Sequence, residues 1–453
     1  MPTPSVALID QLLGRQARRE SAARTCARSL PVAPVRAEGC WVTGADGRSY
    51  LDFVSGSGTL ALGHRHPAVL EALGEDLASG APLQALDMIT PQKDAFCGEL
   101  LGALPGELRD AARLHFCGPG RSDAVRAAMR LAREATGRRG VVAFAGAHRD
   151  AAPERGEVTR LPFPYAYRCP FGGGTRAGDG AGGRTGRGRG SGGRGSEGAE
   201  LSARLLEGLL DDPGSGVDAP AAVLLEAVQG EGGVIAAPRA WLREVRRITE
   251  ERGIVLIVDE ALTGVGRTGR TWACERAGIT PDVLVAGGAL GGGLPLAVLA
   301  YRPELDVWRP GAHTGDFRGT TLAMSAGRAT LRTVAGERLD ERAGELGERL
   351  RRGLRELAAW FPRFGDVRGE GLLIGVEIVD PGGETDAQGA PPRDPTYAAA
   401  LQAACLEEGL MLESAGREGA VLRLLPPLVL TGREADSALE RIAAAVRAGE
   451  GAA

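Results

Sequence analysis

Four short apolar runs, separated by stretches with helical spacing, constrain this chain most. Residues 140–146 (GVVAFAG), 221–228 (AAVLLEAV), 253–260 (GIVLIVDE) and 294–301 (LPLAVLAY) are rich in Val, Ile and Leu and lack polar–apolar alternation, as strands covered on both faces do. Between them, residues 122–137 carry Ala124, Ala128, Met129, Leu131 and Ala132 as an apolar stripe, with Ser122 as the expected N-cap. Strand–helix alternation of this kind predicts an α/β fold with a mainly parallel sheet. From about residue 331 the text turns to long Arg/Glu helices (LDERAGELGERLRRGLRELAAWF), a short strand (LLIGVEIV) and further helices. The expected organisation is a large α/β domain over 61–330, a smaller α+β domain over 331–453, and residues 1–60 contributing to the smaller lobe. A chain of 453 residues suits such a division.

One segment stands outside this pattern. Residues 172–199 place Arg176, Arg184, Arg187, Arg189 and Arg194 among glycines. So little apolar surface does not offset chain entropy, and disorder is expected. The segment has no aromatic residues to stack on bases, so a neutral loop expansion is the expectation rather than an RNA arm. A net charge of −4 gives no general attraction to nucleic acid or to anionic membranes. No run approaches the length of a membrane span, and the first residues have no secretory apolar core. Seven scattered cysteines without a CxxC pair read as reduced thiols in the cytoplasm, with no metal site expected.

Of 54 basic residues, one is lysine (Lys93) and the rest are arginine. Arginine stays protonated at any working pH and does not form imines, whereas a desolvated lysine does.

Several long phrases carry a family likeness, in order, over nearly the whole chain: YLDFVSGSGTLALGHRHP, LLEAVQGEGGVIAAP, GIVLIVDEALTGVGRTGRTWACERAGITPDVLV, FRGTTLAMSAG and VLRLLPPLVLT. They resemble class III aminotransferases, most closely the 2,4-diaminobutyrate:2-oxoglutarate group. The resemblance implies a fold type I homodimer that binds pyridoxal phosphate (PLP) at the subunit interface.

Position by position, the likeness is incomplete. The family's Schiff-base lysine lies in a Ser-Lys-Ala-Ile-Gly-Gly-Gly-Leu-Pro motif, and the matching segment, Gly287 to Pro295, has Gly288 at the lysine position. Loss of a proton-transferring group alone costs a rate factor of ~10²–10⁴. Lys93 lies in a helix-like segment far along the chain and is not expected to substitute. The family's phosphate-binding turn aligns with Pro119-Gly120-Arg121-Ser122, where Arg121 replaces a glycine. A threonine that reaches the partner's phosphate in relatives is replaced by Asp316, which only accepts hydrogen bonds when ionised. The ring-stacking position falls on His148, and the glutamine beside the coenzyme hydroxyl becomes Leu262. Asp259 matches the aspartate that pairs with the pyridine nitrogen in relatives. Glu226, Gln229, Glu231 and Arg423 also match, and the resemblance assigns Arg423 to the substrate carboxylate.

From these departures the chain is expected neither to transaminate nor to hold a coenzyme. The leading expectation is a repurposed, PLP-independent enzyme of specialised metabolism. Its cleft would grip an acidic or phosphorylated small molecule through Arg65, Arg121, Arg149 and Arg423, with Glu226 and Glu231 also lining it. Asp259 or Glu260 would serve as a general acid of raised pKa. Two alternatives stand beside it. One is a non-catalytic partner of an active aminotransferase in a heterodimer, which Asp316 disfavours. The other is a diaminobutyrate transaminase that uses PLP or its amine form without a covalent link.

Overall fold

The structure, a computed structural model, describes residues 6–23, 29–147, 158–171 and 193–450. Strands β1 (Pro34–Glu38), β2 (Trp41–Gly44) and β3 (Ser49–Asp52) form an antiparallel meander near the N-terminus.

The central sheet is built from β4 (Arg113–Phe116), β5 (Val141–Phe144), β6 (Val158–Leu161) and β7 (Ala222–Leu225). After a short pair, β8 (Val228–Gln229) and β9 (Ile235–Ala236), it continues with β10 (Val255–Asp259), β11 (Val283–Ala286) and β12 (Val298–Tyr301). Among the described residues its order is β4-β12-β11-β10-β7-β5-β6, and β12 alone runs against its neighbours. The sheet is therefore mainly parallel, as the apolar runs predict.

Both faces are covered. Along β10, Val255 and Ile257 pack with Ala124, Val125, Ala128 and Met129 of helix Arg121–Thr136. Leu256 and Val258 point the other way, into the cluster holding Trp241, Leu242, Val245 and Ile248 of helix Arg239–Glu251. Successive side chains of a strand face opposite sides, so a strand buried on both has no polar residue to alternate. Helix Arg121–Thr136 begins two residues earlier than expected, with Gly120 rather than Ser122 at the N-cap and no side-chain cap. Ser122 therefore lies inside the first turn.

Beyond helices Thr321–Gly336 and Leu339–Trp360, a second sheet is formed by β13 (Phe364–Glu370), β14 (Leu373–Ile378), β16 (Glu413–Ala415) and β17 (Val421–Leu424), all antiparallel in the order β13-β14-β17-β16. The intervening β15 (Leu410–Met411) adds in parallel to β3, tying the N-terminal meander to this half of the chain. Helix Thr321–Gly336 runs through position 331 and packs on helices Pro67–Ser79 and Pro91–Ala103. The Gly/Arg-rich stretch lies outside the described residues as far as 192, and residues 193–199 open helix Gly193–Asp211. Among the described residues, no helix is long and apolar enough to cross a membrane.

Candidate active site

The carboxyl ends of the parallel strands bring several sequence-selected residues together, at the edge where open α/β sheets bind ligands. Glu226 follows β7, Asp259 ends β10, and Arg121 opens the helix that follows β4. Arg121 Nε donates to Asp259 Oδ2 at 2.8 Å, and its Nη2 lies 2.7 Å from Glu226 Oε1. The second Asp259 oxygen accepts the Ala261 N–H (3.0 Å), and the second Glu226 oxygen accepts the Gly230 N–H (3.2 Å). Both carboxylates are buried, with side chains 4% exposed. Burial opposes the charge on Arg121, but the two carboxylates outweigh it and lift its pKa above the ordinary arginine value.

Glu260 follows Asp259 but serves a different segment. Its oxygens accept the Thr263 hydroxyl and the N–H groups of Ala273 (3.0 Å) and Cys274 (2.8 Å). Burial raises its pKa to about 7 in spite of those donors. Its bonds brace the 263–274 segment, whereas Asp259 carries the ion pair.

Gly288 opens a 3-10 turn, Gly288–Gly291, with φ of +53°. A Cβ built there would overlap the Ala261 carbonyl oxygen, so the backbone is shaped for glycine. The chain's one lysine is committed elsewhere. Lys93 Nζ donates to the Leu86 and Met88 carbonyls (3.3 and 3.4 Å) and lies 5.0 Å from the centre of the Phe116 ring.

Arg423 sits on β17, 5% exposed. It donates to Glu413 (2.6 Å) and to Glu231 (3.2 Å). Glu413 faces it across the β16–β17 ladder and also accepts the Ser57 hydroxyl (2.6 Å). Sequence reasoning missed Glu413, since only strand register pairs it with Arg423. Four guanidiniums were expected to grip an anion. Arg121 and Arg423 are each neutralised by carboxylates, Arg65 is exposed, and Arg149 lies outside the described residues, as does His148. Asp316 is also exposed, on the loop before helix Thr321–Gly336. Sequence reading also missed a group of potential metal ligands, His115, Cys117 and His313, whose ligand atoms lie within 4.8 Å of one another. The two imidazoles already hydrogen-bond each other at 2.9 Å.

Comparison with known proteins decides the family. The sequence profile described as aminotransferase class-III matches residues 22–150 and 198–446. The chain belongs to the class III aminotransferases. It is 50% identical over 450 residues to the diaminobutyrate–2-oxoglutarate aminotransferase of Rhizobium meliloti, covering 96% of this chain and 92% of that protein. The enzyme of the same name from Haemophilus influenzae is 43% identical, covering 97% and 96%. An (S)-enantioselective omega-transaminase from Thermomicrobium roseum has the same fold, with a TM-score of 0.81, 24% identity and 99% coverage of both chains.

These likenesses overturn two expectations drawn from the substitutions: that the class III aminotransferase does not transaminate, as a repurposed or non-catalytic homologue, and that it takes no coenzyme. Both rested on a few positions, chiefly Gly288, weighed against a scaffold that agrees with a curated transaminase at half of its residues.

PLP carries a cationic ring nitrogen at one end and a phosphate at the other. Asp259 is a buried counter-ion suited to the first, and its present partner, a guanidinium, is a cation of the same sign. The first turn of helix Arg121–Thr136, which has no side-chain cap, suits the second: the Asp123 N–H is taken by the Gly120 carbonyl (3.0 Å), while those of Arg121 and Ser122 precede the first intrahelical bond. The Asp123 carboxylate already takes one nearby N–H, that of Gly118 (2.8 Å). With no amine at 288, these residues fit a coenzyme held by its charges rather than by a covalent tether.

Proposed function

We propose that this class III aminotransferase moves an amino group from 2,4-diaminobutyrate to 2-oxoglutarate, with PLP or its amine form bound non-covalently. The observation that carries this reading is 50% identity, over 96% of the chain, to a protein of that activity. PLP, when bound, supplies an electron-withdrawing ring that lets an amino group pass from one carbon skeleton to another.

Asp259 would hold the ring nitrogen in its charged form, and the first turn at Gly120, Arg121 and Ser122 would take the phosphate. Arg423, relieved of one carboxylate, would take a substrate carboxylate by a forked pair of hydrogen bonds. Glu226 and Glu231 would then face the cationic amino groups of diaminobutyrate. With glycine at 288, the proton on the substrate carbon must be carried by another group, so turnover is expected to be slow by a factor of roughly 10²–10⁴ relative to a lysine-bearing enzyme.

A homodimer is part of this reading. Exposed Leu83, Leu86, Met88 and Ile89 lie on a segment that bridges to the loop bearing exposed Phe317, through the Gln84–Thr320 contact. An apolar patch of this kind is what a second copy would cover. The cytoplasm is the proposed compartment, supported by six cysteines that are free in the described residues.

The test is transfer of 15N from labelled diaminobutyrate to 2-oxoglutarate, with added PLP, read as labelled glutamate by mass spectrometry. Label above the rate of free PLP in buffer is expected. Label no faster than that blank would end the reading.

A further inference from the structure

Arg121 stands at a position that serves two purposes at once. It is the first residue of the helix whose open end suits a phosphate, yet its guanidinium folds back onto the two carboxylates at the strand ends. Its Nε lies 2.8 Å from Asp259 and its Nη2 2.7 Å from Glu226, with the side chain 17% exposed. A cationic ring nitrogen needs the same Asp259 oxygen that Arg121 now holds.

We propose that Arg121 is an affinity-determining residue, a built-in competitor that a PLP-class coenzyme must displace from Asp259 before it binds. The ligand class follows from the charges: a cation for Asp259 and an anion for the helix end, joined in one molecule. Weak coenzyme affinity in the native chain, relieved by removing Arg121, is the consequence.

The inference rests on the coenzyme reading above, and binding rather than turnover tests it. Pyridoxine 5′-phosphate has the ring nitrogen and the phosphate but no aldehyde, so it reports the charged contacts alone. Equilibrium dialysis against the full chain should show Arg121→Ala binding it about tenfold or more tightly than the native protein. Arg121→Lys, which keeps the charge but not the fork, should fall between the two. Methylguanidinium at matched ionic strength should compete with the ligand in Arg121→Ala and have little effect on the native chain.

Should Arg121→Ala unfold because two buried carboxylates lose their cation, the same comparison is made between Glu226→Gln and the double variant Glu226→Gln/Arg121→Ala. Equal or weaker binding after loss of Arg121, in either background, overturns the inference, as does no measurable binding to any of these proteins. The two readings fail separately. Tighter binding without amino transfer keeps the competitor and removes the transaminase. Amino transfer with unchanged affinity does the reverse.

Discussion

Two buried ionic clusters in this class III aminotransferase are built on opposite principles. Around Glu377, on β14, three carboxylates meet three guanidiniums. Glu377 lies 2.6 Å from Arg168, 2.9 Å from Arg368 and 3.4 Å from Arg393, and accepts the Tyr165 hydroxyl. Arg168 also pairs with Asp386 (2.8 Å), and Arg368 with Asp366 (3.0 Å). Charge is balanced, and the bonds tie the 165–168 segment to the second sheet. At the central strand ends, one guanidinium serves two carboxylates. The first is a web of charges spread over two segments of the fold, whereas the Arg121–Asp259 contact in the second is one that an arriving cation could exchange. The first ties parts of the fold together, and the second lies at the strand ends, where the proposed coenzyme site falls.

The largest test is to remove the central carboxylate of the balanced cluster. Glu377→Gln would leave Arg168, Arg368 and Arg393 facing two carboxylates, and breaking a buried pair this way costs roughly 3–5 kcal/mol. Urea unfolding should show that loss. Glu226→Gln instead leaves the Arg121–Asp259 contact in place, and should cost no more than about 1 kcal/mol. Equal losses in the two variants would dissolve the distinction.

Glu260 extends the comparison to a buried carboxylate with no cation in its hydrogen-bonding shell among the described residues. Burial raises its pKa to about 7, so the native state keeps its proton where the unfolded chain has released it. Its contribution to stability is then complete below the ordinary glutamate range, near pH 4.5, and is lost as pH rises through about 7. The slope is at most about 1.4 kcal/mol per pH unit. Urea midpoints measured from pH 4.5 to 8 should fall along the native curve and flatten in Glu260→Gln. An identical slope in both proteins would assign the pH dependence to other groups.

How much of this was legible in the sequence depends on the range of the interaction. The four apolar runs mark β5, β7, β10 and β12, because strands buried on both faces need uninterrupted Val, Ile and Leu. β4 reads RLHF and β13 reads FGDVRGE, too short or too polar to stand out by pattern. Asp259 and Arg423 were found by resemblance, and their surroundings were not. Arg121 looked like one of several anion-gripping arginines, yet its side chain crosses to a carboxylate 138 positions away. No local pattern encodes such a pairing, and the same holds for Glu413 opposite Arg423.

Asp259→Asn sharpens the contrast from the ligand side. The fold should lose no more than about 1 kcal/mol, since Arg121 keeps its contact with Glu226. The affinity for pyridoxine 5′-phosphate should drop roughly 30-fold, about 2 kcal/mol, the usual worth of a hydrogen bond to a charged group. Dialysis of the variant decides this, and undiminished affinity would place the ring nitrogen elsewhere.

The smallest expected effect separates a glycine shaped by the site from one that is merely tolerated. Gly288 has φ of +53°, and a Cβ there would overlap the Ala261 carbonyl oxygen just after Asp259. Gly288→Ala should therefore cost about 1–2 kcal/mol for the left-handed backbone, and somewhat more if that carbonyl is slow to yield. Gly98, within helix Pro91–Ala103, has no atom within 4 Å of its virtual Cβ. Gly98→Ala should stabilise by roughly 0.5–1 kcal/mol, because helical glycine carries an entropic cost that alanine does not. Paired urea curves read the sign. If Gly288→Ala were as benign as Gly98→Ala, the turn at 288 would have room for a side chain, and its missing lysine would be a change of chemistry alone rather than one built into the backbone.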